Sequence, residues 1–182
     1  YIMYKPRGVV CTCSDDRGRK TVLDYVKNPE RRIFPVGRLD YESEGMVLLT
    51  DDGDFANKVA HPSSSSEKEY RRTLDKPYSQ AMADKLLEGI DIGDERPATA
   101  KSISFTNRPD KRSAVEIVIT EGRNRQLRRM FEAQGFDVLR LKRVRTGALL
   151  LGDMKPGACK RISSQEAAKA LERYTPTVKR YK

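Results

Sequence analysis

The stretch from Ile33 to Thr50 constrains this chain more than any other. A short apolar approach (Ile33, Phe34, Val36) meets a polar turn, and the chain then re-enters the run Met46–Leu49, apolar enough for a strand buried on both faces. The spacing predicts two strands with Asp40 held between them. Gly37 and Gly45 bracket the turn, which lets the backbone bend tightly and another segment or a ligand come close. On residue type alone an aspartate in such a turn is solvated or caps a backbone amide. Arg38 stands two residues away.

On either side of this stretch the pattern alternates strands and helices without repeats. A first strand is expected at Tyr1–Tyr4, turned by Lys5-Pro6-Arg7-Gly8 and resumed at Val9–Thr12, followed by a helix from Thr21 to Lys27. The acids of Asp51-Asp52-Gly53-Asp54 are expected to cap a helix reaching Ala60, with Phe55 and Val59 inward, because they lack the alternating ligand spacing of a calcium loop. Tyr70, Arg72 and Leu74 alternate with Glu69, Arg71 and Thr73, as in a half-exposed strand. A helix from Pro77 to Leu87, with Tyr78, Ala81, Met82 and Leu86 inward, ends at Gly89. Strands follow at 99–106 and 114–120. From Arg125 to Gln134 the period is helical, with Leu127, Met130 and Phe131 on one face. Strands at 136–141 and 146–151 flank Arg140, Lys142, Arg143 and Arg145; a short strand and a helix from Gln165 to Glu172 close the chain.

Charge narrows the partner. The formal charge is +10 with pI near 9.6, which favours a polyanion, either nucleic acid or an acidic membrane surface. The excess is segregated: residues 36–100 hold eight Lys/Arg against fourteen Asp/Glu, whereas 122–145 hold eight against two. Within the second block, Arg123, Arg125, Arg128 and Arg129 fall in seven residues, and guanidinium forks suit phosphate. Three cysteines and one histidine neither pair fully nor build a zinc site, so a reduced, cytoplasmic chain is expected. No apolar run approaches the roughly 20 residues of a membrane span. Walker loops, dinucleotide fingerprints, zincin helices and nucleophile elbows are missing from the sequence, which leaves chemistry by a carboxylate and polar side chains.

Three motifs carry a resemblance. Gly37-Arg38-Leu39-Asp40-Tyr41-Glu42-Ser43-Glu44-Gly45 with the run to Gly53, then Lys68-Glu69-Tyr70-Arg71, then Glu121-Gly122-Arg123-Asn124-Arg125-Gln126-Leu127-Arg128-Arg129-Met130, resemble in order the motifs of the RsuA/RluB/RluE/RluF family of RNA pseudouridine synthases. Lys5-Pro6-Arg7-Gly8 and Arg143-Val144-Arg145-Thr146-Gly147 resemble further family elements. The resemblance covers about residues 2 to 172. It implies an α+β pseudouridine synthase fold: a long mixed, mostly antiparallel sheet with flanking helices and a central cleft. Residues 1–173 would form the catalytic domain, two halves sharing one sheet, and 174–182 a basic tail. Asp40 would be the catalytic residue, Tyr70 would stack on the target base and Arg128 would be the basic residue beside the aspartate. Lys5, Arg38, Arg123, Arg125, Arg129, Arg143 and Arg145 are expected to contact RNA. The implied reaction isomerises uridine in ribosomal RNA on a flipped-out base, by a monomer without cofactor or metal. The small N-terminal RNA-binding module common in the family is not in this sequence, whose start, Tyr-Ile-Met-Tyr, reads as cut from a longer chain.

Two other classes share some of these features: a non-catalytic ribosome-assembly factor, which would not need Asp40, and a metal-dependent nuclease using Glu42, Glu44, Asp51 and Asp52. A chelator separates the nuclease from the synthase. Excess EDTA should leave uridine isomerisation unchanged, measured as pseudouridine formed in an RNA substrate; activity restored only by magnesium would contradict the carboxylate reading.

Overall fold

The computed structural model describes residues 1–61, 64 and 66–175; most of the expected tail, from residue 176, lies outside them. Strand β3 (Glu44–Thr50) is the apolar run expected after Asp40, and both of its faces are covered. Met46 and Leu48 point to one side with Ile2 and Tyr4 of β1 (Ile2–Lys5); Val47 and Leu49 point to the other with Met3. The apolar approach is β2 (Phe34–Val36), which pairs antiparallel with the far end of β3.

The remaining strands are β4 (Lys68–Leu74), β5 (Ser102–Asn107), β6 (Ser113–Ile119), β7 (Val138–Thr146), β8 (Leu149–Leu150) and β9 (Cys159–Lys160). Among the described residues they form one nine-stranded sheet in the order β5-β6-β4-β7-β3-β1-β9, with β2 beside β3 and β8 beside β7. Every pairing is antiparallel except β3 with β7, which meets through Glu44↔Lys142 and Gly45↔Arg143. This is the expected α+β architecture with a mixed, largely antiparallel sheet.

The two sheet faces are covered unequally. Helices α2 (Gln80–Glu88) and α3 (Gln126–Glu132) contribute Ala83, Leu86, Leu127, Met130 and Phe131 to the larger core, with Tyr78 packed against Phe105, Phe131 and Phe136. Helices α1 (Gly53–Ala60) and α4 (Ser164–Ala168) lie on the other face near β1 and β3, where Ala56, Val59 and Ala170 join a smaller core. The Asp52 carboxylate accepts from the Phe55 amide at 3.0 Å, so the acidic run does cap α1.

Several expected elements differ. Val9–Thr12 makes one isolated bridge, Val10 to Thr21, in place of a strand, and the segment after Thr21 is a single 3-10 turn, Val22–Tyr25. The strand expected at 136–141 runs on through the arginines as β7, and the one expected at 146–151 is reduced to the end of β7 and β8 across a turn at Gly147, so the arginines lie along the centre of the sheet. In α2, Ala83 faces the core and Ala81 is exposed.

One buried residue is out of keeping with its surroundings. Arg72 of β4 is 3% exposed, lies over the Phe131 ring at 4.2 Å, and donates one long bond of 3.4 Å to the Leu127 carbonyl. Its Nε and Nη2 have no hydrogen-bond partner among the described residues, and burial pulls its pKa down to about 9. A buried cation without a carboxylate is replaceable by an apolar chain at a gain. Arg72→Met should therefore raise the thermal midpoint by roughly 2 to 8 °C, from about 1–2 kcal/mol. The charged guanidinium is penalised in full below pH 9; above it the folded form sheds the proton that the unfolded chain keeps, so the gain should shrink. Melting curves of both proteins at pH 7 and pH 10 test this.

Candidate active site

The loop bearing Asp40 is pinned from beneath. Leu39 is buried and its amide donates to the Cys11 sulfur at 3.3 Å. Gly8 donates its amide to the Tyr41 carbonyl at 2.9 Å, and the Ser43 amide closes the turn onto the Asp40 carbonyl at 3.0 Å. Lys5 is fully buried, its ammonium donating to the carbonyls of Pro6 (2.9 Å) and Ser43 (2.7 Å). Burial lowers its pKa to about 8, against the pull of Cys11, Asp40 and Glu44. The expectation that Lys5 touches RNA is thus corrected: its charge is spent on backbone carbonyls under the Asp40 turn.

Asp40 emerges half-buried into a cleft of about 140 Å³ across the middle of the sheet. Opposite stand Lys68 and Tyr70 of β4, Arg123 and Arg125 of the turn leading into α3, and Arg128 within α3; Arg38, Ser43 and Arg143 line it as well. The sequence-predicted residues Asp40, Tyr70 and Arg128 therefore share one cavity although they are far apart in the chain. The Asp40 carboxylate has no hydrogen bond or ion pair within 4 Å among the described residues. Arg128 approaches without pairing to it: Nη1 donates to the Val138 carbonyl at 3.1 Å, and Nε has no hydrogen-bond partner, with a Glu42 oxygen at 3.9 Å. Burial lowers the Arg128 pKa, and Glu42 and Asp40 oppose this. The buried Ser43 hydroxyl likewise has no partner among the described residues.

Arg125 has left-handed backbone geometry, φ 46° and ψ 27°, immediately before α3. A non-glycine residue held there costs on the order of 1 kcal/mol, and such positions cluster at functional sites. Its guanidinium is half-exposed, 3.8 Å from Glu42.

Other arginines expected at phosphates are committed inside the protein. Arg145 is 2% exposed and paired with Glu67 (3.2 Å) and Glu69 (2.7 Å), and the Tyr174 ring lies over it. Arg143 lines the cleft, yet its Nε donates to the Met46 carbonyl at 2.8 Å. Arg129 grips Asp94 at 2.7 Å and the Ile92 carbonyl at 3.0 Å; Arg123 binds Asp94, Glu121 and the Pro97 carbonyl. Asp94 is held below the usual carboxylate range, chiefly by Arg129. Of the basic residues expected at RNA, Arg38 and Arg125 are the exposed ones that line the cleft.

Residue-level reading missed two cleft groups. Ser43 lies within the Gly37–Gly45 motif, where a small polar residue beside a buried strand was the available signal. Lys68, whose pKa burial lowers to about 8 with help from Arg143, opens the Lys68-Glu69-Tyr70-Arg71 motif. Glu42, Glu44, Asp51 and Asp52 do not converge: Asp52 caps α1, and Glu44 accepts from Tyr4 and Arg140. No group of three metal-ligating side chains occurs among the described residues, and no helix there is long and apolar enough to cross a membrane.

The mixed, largely antiparallel sheet flanked by helices is the fold of a pseudouridine synthase. A solved structure, "Crystal structure of pseudouridylate synthase", superposes with TM-score 0.80 at 31% identity, over 93% of this chain and 72% of that one. The family model for RNA pseudouridylate synthase matches residues 1–133. The chain is 42% identical over 168 residues to ribosomal large subunit pseudouridine synthase B of Bacillus subtilis, covering 91% of this chain and 68% of that protein. It is 37% identical over 165 residues to an uncharacterised RNA pseudouridine synthase of Mycobacterium leprae, spanning 89% of this chain and 64% of that protein. This chain belongs to the RNA pseudouridylate synthase family, as a catalytic domain related to the large-subunit type B enzymes.

The two lysines near pH 8 make separable predictions. Lys68 faces the cleft, so RNA affinity should fall as pH rises through about 8 and this ammonium loses its proton; Lys68→Met should bind more weakly at pH 7 and lose most of that pH dependence. Lys5 holds the loop from below, so Lys5→Met should lower single-turnover rate more than affinity. Filter binding and single-turnover assays from pH 6.5 to 9 read both, and the opposite pattern would exchange their roles.

Proposed function

We propose that this domain converts a specific uridine of ribosomal RNA to pseudouridine, with Asp40 as the catalytic residue. The observation that carries this reading is the unengaged Asp40 carboxylate in the cationic cleft with Tyr70 and Arg128. The reaction breaks the bond from ribose C1′ to N1, forms one from C1′ to C5, and exchanges the proton of C5 for one on N1. Atoms balance within the nucleotide, so the site needs one carboxylate and donors that hold the base while it turns.

The target base has to leave its stack to reach Asp40, which costs a few kcal/mol. Stacking on Tyr70 offsets part of this. The unpartnered Ser43 hydroxyl and Arg128 Nε are donors suited to the carbonyl oxygens of a uracil, which would satisfy two buried polar groups at once. Arg38 and Arg125 suit the flanking phosphates. The name of the Bacillus relative favours the large ribosomal subunit as source of the RNA.

Asp40→Asn keeps the shape of the side chain and removes its charge. It should lower pseudouridine formation by roughly three orders of magnitude or more, while RNA affinity stays nearly unchanged, since one acid in a basic cleft adds little attraction for phosphate. Arg128→Met should also lose more turnover than binding. Pseudouridine mapping of ribosomal RNA with and without the gene, together with single-turnover assays, decides the matter; substantial turnover by Asp40→Asn would refute the assignment.

A further inference from the structure

Among the described residues, the half of the sheet made of β5, β6, β4 and β7 carries α-helices on one face only. Ile103, Phe105, Val115, Ile117, Leu74 and Leu141 turn toward α2 and α3, so the intervening residues of the same strands turn the other way. On that other face cross-strand pairing sets Glu116, Arg71 and Lys142 side by side in one row, and Ala114, Thr73 and Arg140 in the next. The small residues of the second row leave a groove of about 360 Å³, which Arg108 of the β5–β6 turn also lines.

Antiparallel sheets commonly leave one face to water, and a polar face by itself asks for no partner. The arrangement of charge here does. Arg71 and Lys142 are direct cross-strand partners and Arg140 is a pleat away, although like charges opposite one another destabilise a sheet. Five basic residues line the groove, Arg71, Arg72, Arg108, Arg140 and Lys142, of which Arg72 sends its guanidinium to the core side; the one carboxylate is Glu116, which reaches Arg71 at 2.7 Å where both are largely exposed. Arg140 is answered by Glu44 at 2.5 Å. Lys142 has the Tyr4 ring at 4.7 Å and no carboxylate within 4 Å among the described residues; burial and then Arg140 and Arg71 lower its pKa, with Glu44 opposing. Lys111 and Arg112 extend the basic surface along the β5–β6 turn.

We propose that this bare sheet face is a second RNA-binding surface, which takes the phosphate backbone of substrate RNA lying outside the cleft. Arg71, Arg108 and Lys142 are its exposed or half-exposed contacts. The face opposes the Asp40 cleft across the same strands, so the RNA it holds is a flanking segment that rounds the sheet edge or a neighbouring helix of a folded RNA. A short hairpin seated in the cleft does not reach it. The inference rests on the RNA reading of the cleft, and its test separates the two.

The triple variant Arg71→Gln/Arg108→Gln/Lys142→Gln spares the buried Glu44 and the Arg140 that pairs with it. It is compared with wild type on a short target hairpin and on a long ribosomal RNA fragment containing it, by binding across a salt series and by single turnover. On the long fragment, affinity should drop roughly tenfold and the slope of log K against log salt should become shallower by about two; on the hairpin, affinity and turnover should match wild type. Glu116→Gln, which releases Arg71, should tighten binding of the long fragment alone. An unchanged slope would leave the face to an acidic protein and overturn the proposal; equal losses on both RNAs would overturn it too. Failure of the wild-type protein to form pseudouridine would instead refute the reading of the cleft, whatever the triple variant does.

Discussion

The structure depends on how closely β3 and β7 approach at Gly45. With φ at 110°, this glycine lies against the backbone of Arg143, and a Cβ there would stand 2.2 Å from the Arg143 carbonyl oxygen. No side chain fits, which is the usual reason for a glycine inside a strand that another backbone touches. Through this contact the parallel pair joins the β5-β6-β4-β7 half of the sheet to the β3-β1-β9 half. It also aligns the end of the Asp40 turn with β7. A slip of one residue would exchange Leu141 and Arg143 with Arg140 and Lys142, putting the wrong set of cations in the cleft.

Positive charge does three different kinds of work in this chain. Arg145 and Arg129 tie segments together through carboxylates, Lys5 and Arg143 brace backbone carbonyls beside the cleft, and Arg38 and Arg125 keep their heads at its mouth. Lys5 and Arg145 are tolerated in the interior because carbonyls and carboxylates take the place of water at their donors. The exposed pair of Arg125 and Glu42, at 3.8 Å, is worth little in water, so the RNA phosphate proposed above would displace it at small cost. Arg128 combines burial with an unsatisfied Nε, a state suited to a group that completes its bonding on substrate.

Much of the fold was legible because the signals were local. The apolar run Met46–Leu49, the alternation around Tyr70, the cap at Asp52 and the helical period of Leu127, Met130 and Phe131 each act within a few residues. Errors arose where distant partners decide. Val9–Thr12 has strand composition but no neighbour to pair with beyond Thr21. The residues from Arg140 to Arg145, expected to be flanked by strands, are themselves strand, and Glu44 of β3, Glu69 of β4 and Glu67 just before it answer two of their arginines. Arg128 is buried with Leu127, Met130 and Phe131 because α3 is wedged between core and cleft, which covers the side of the helix facing Asp40 as well.

By itself the sequence determined the basic character of the chain, which composition carries, and the three motifs in family order, whose resemblance implies the class of fold. Only the tertiary structure decided which arginines face the cleft and which are used up inside. It also left Arg72 without a carboxylate and gave one half of the sheet a bare cationic face. A guanidinium has the same charge wherever it sits; its role follows from the carboxylates and carbonyls within about 3 Å of it, and those come from strands that only the folded sheet brings together.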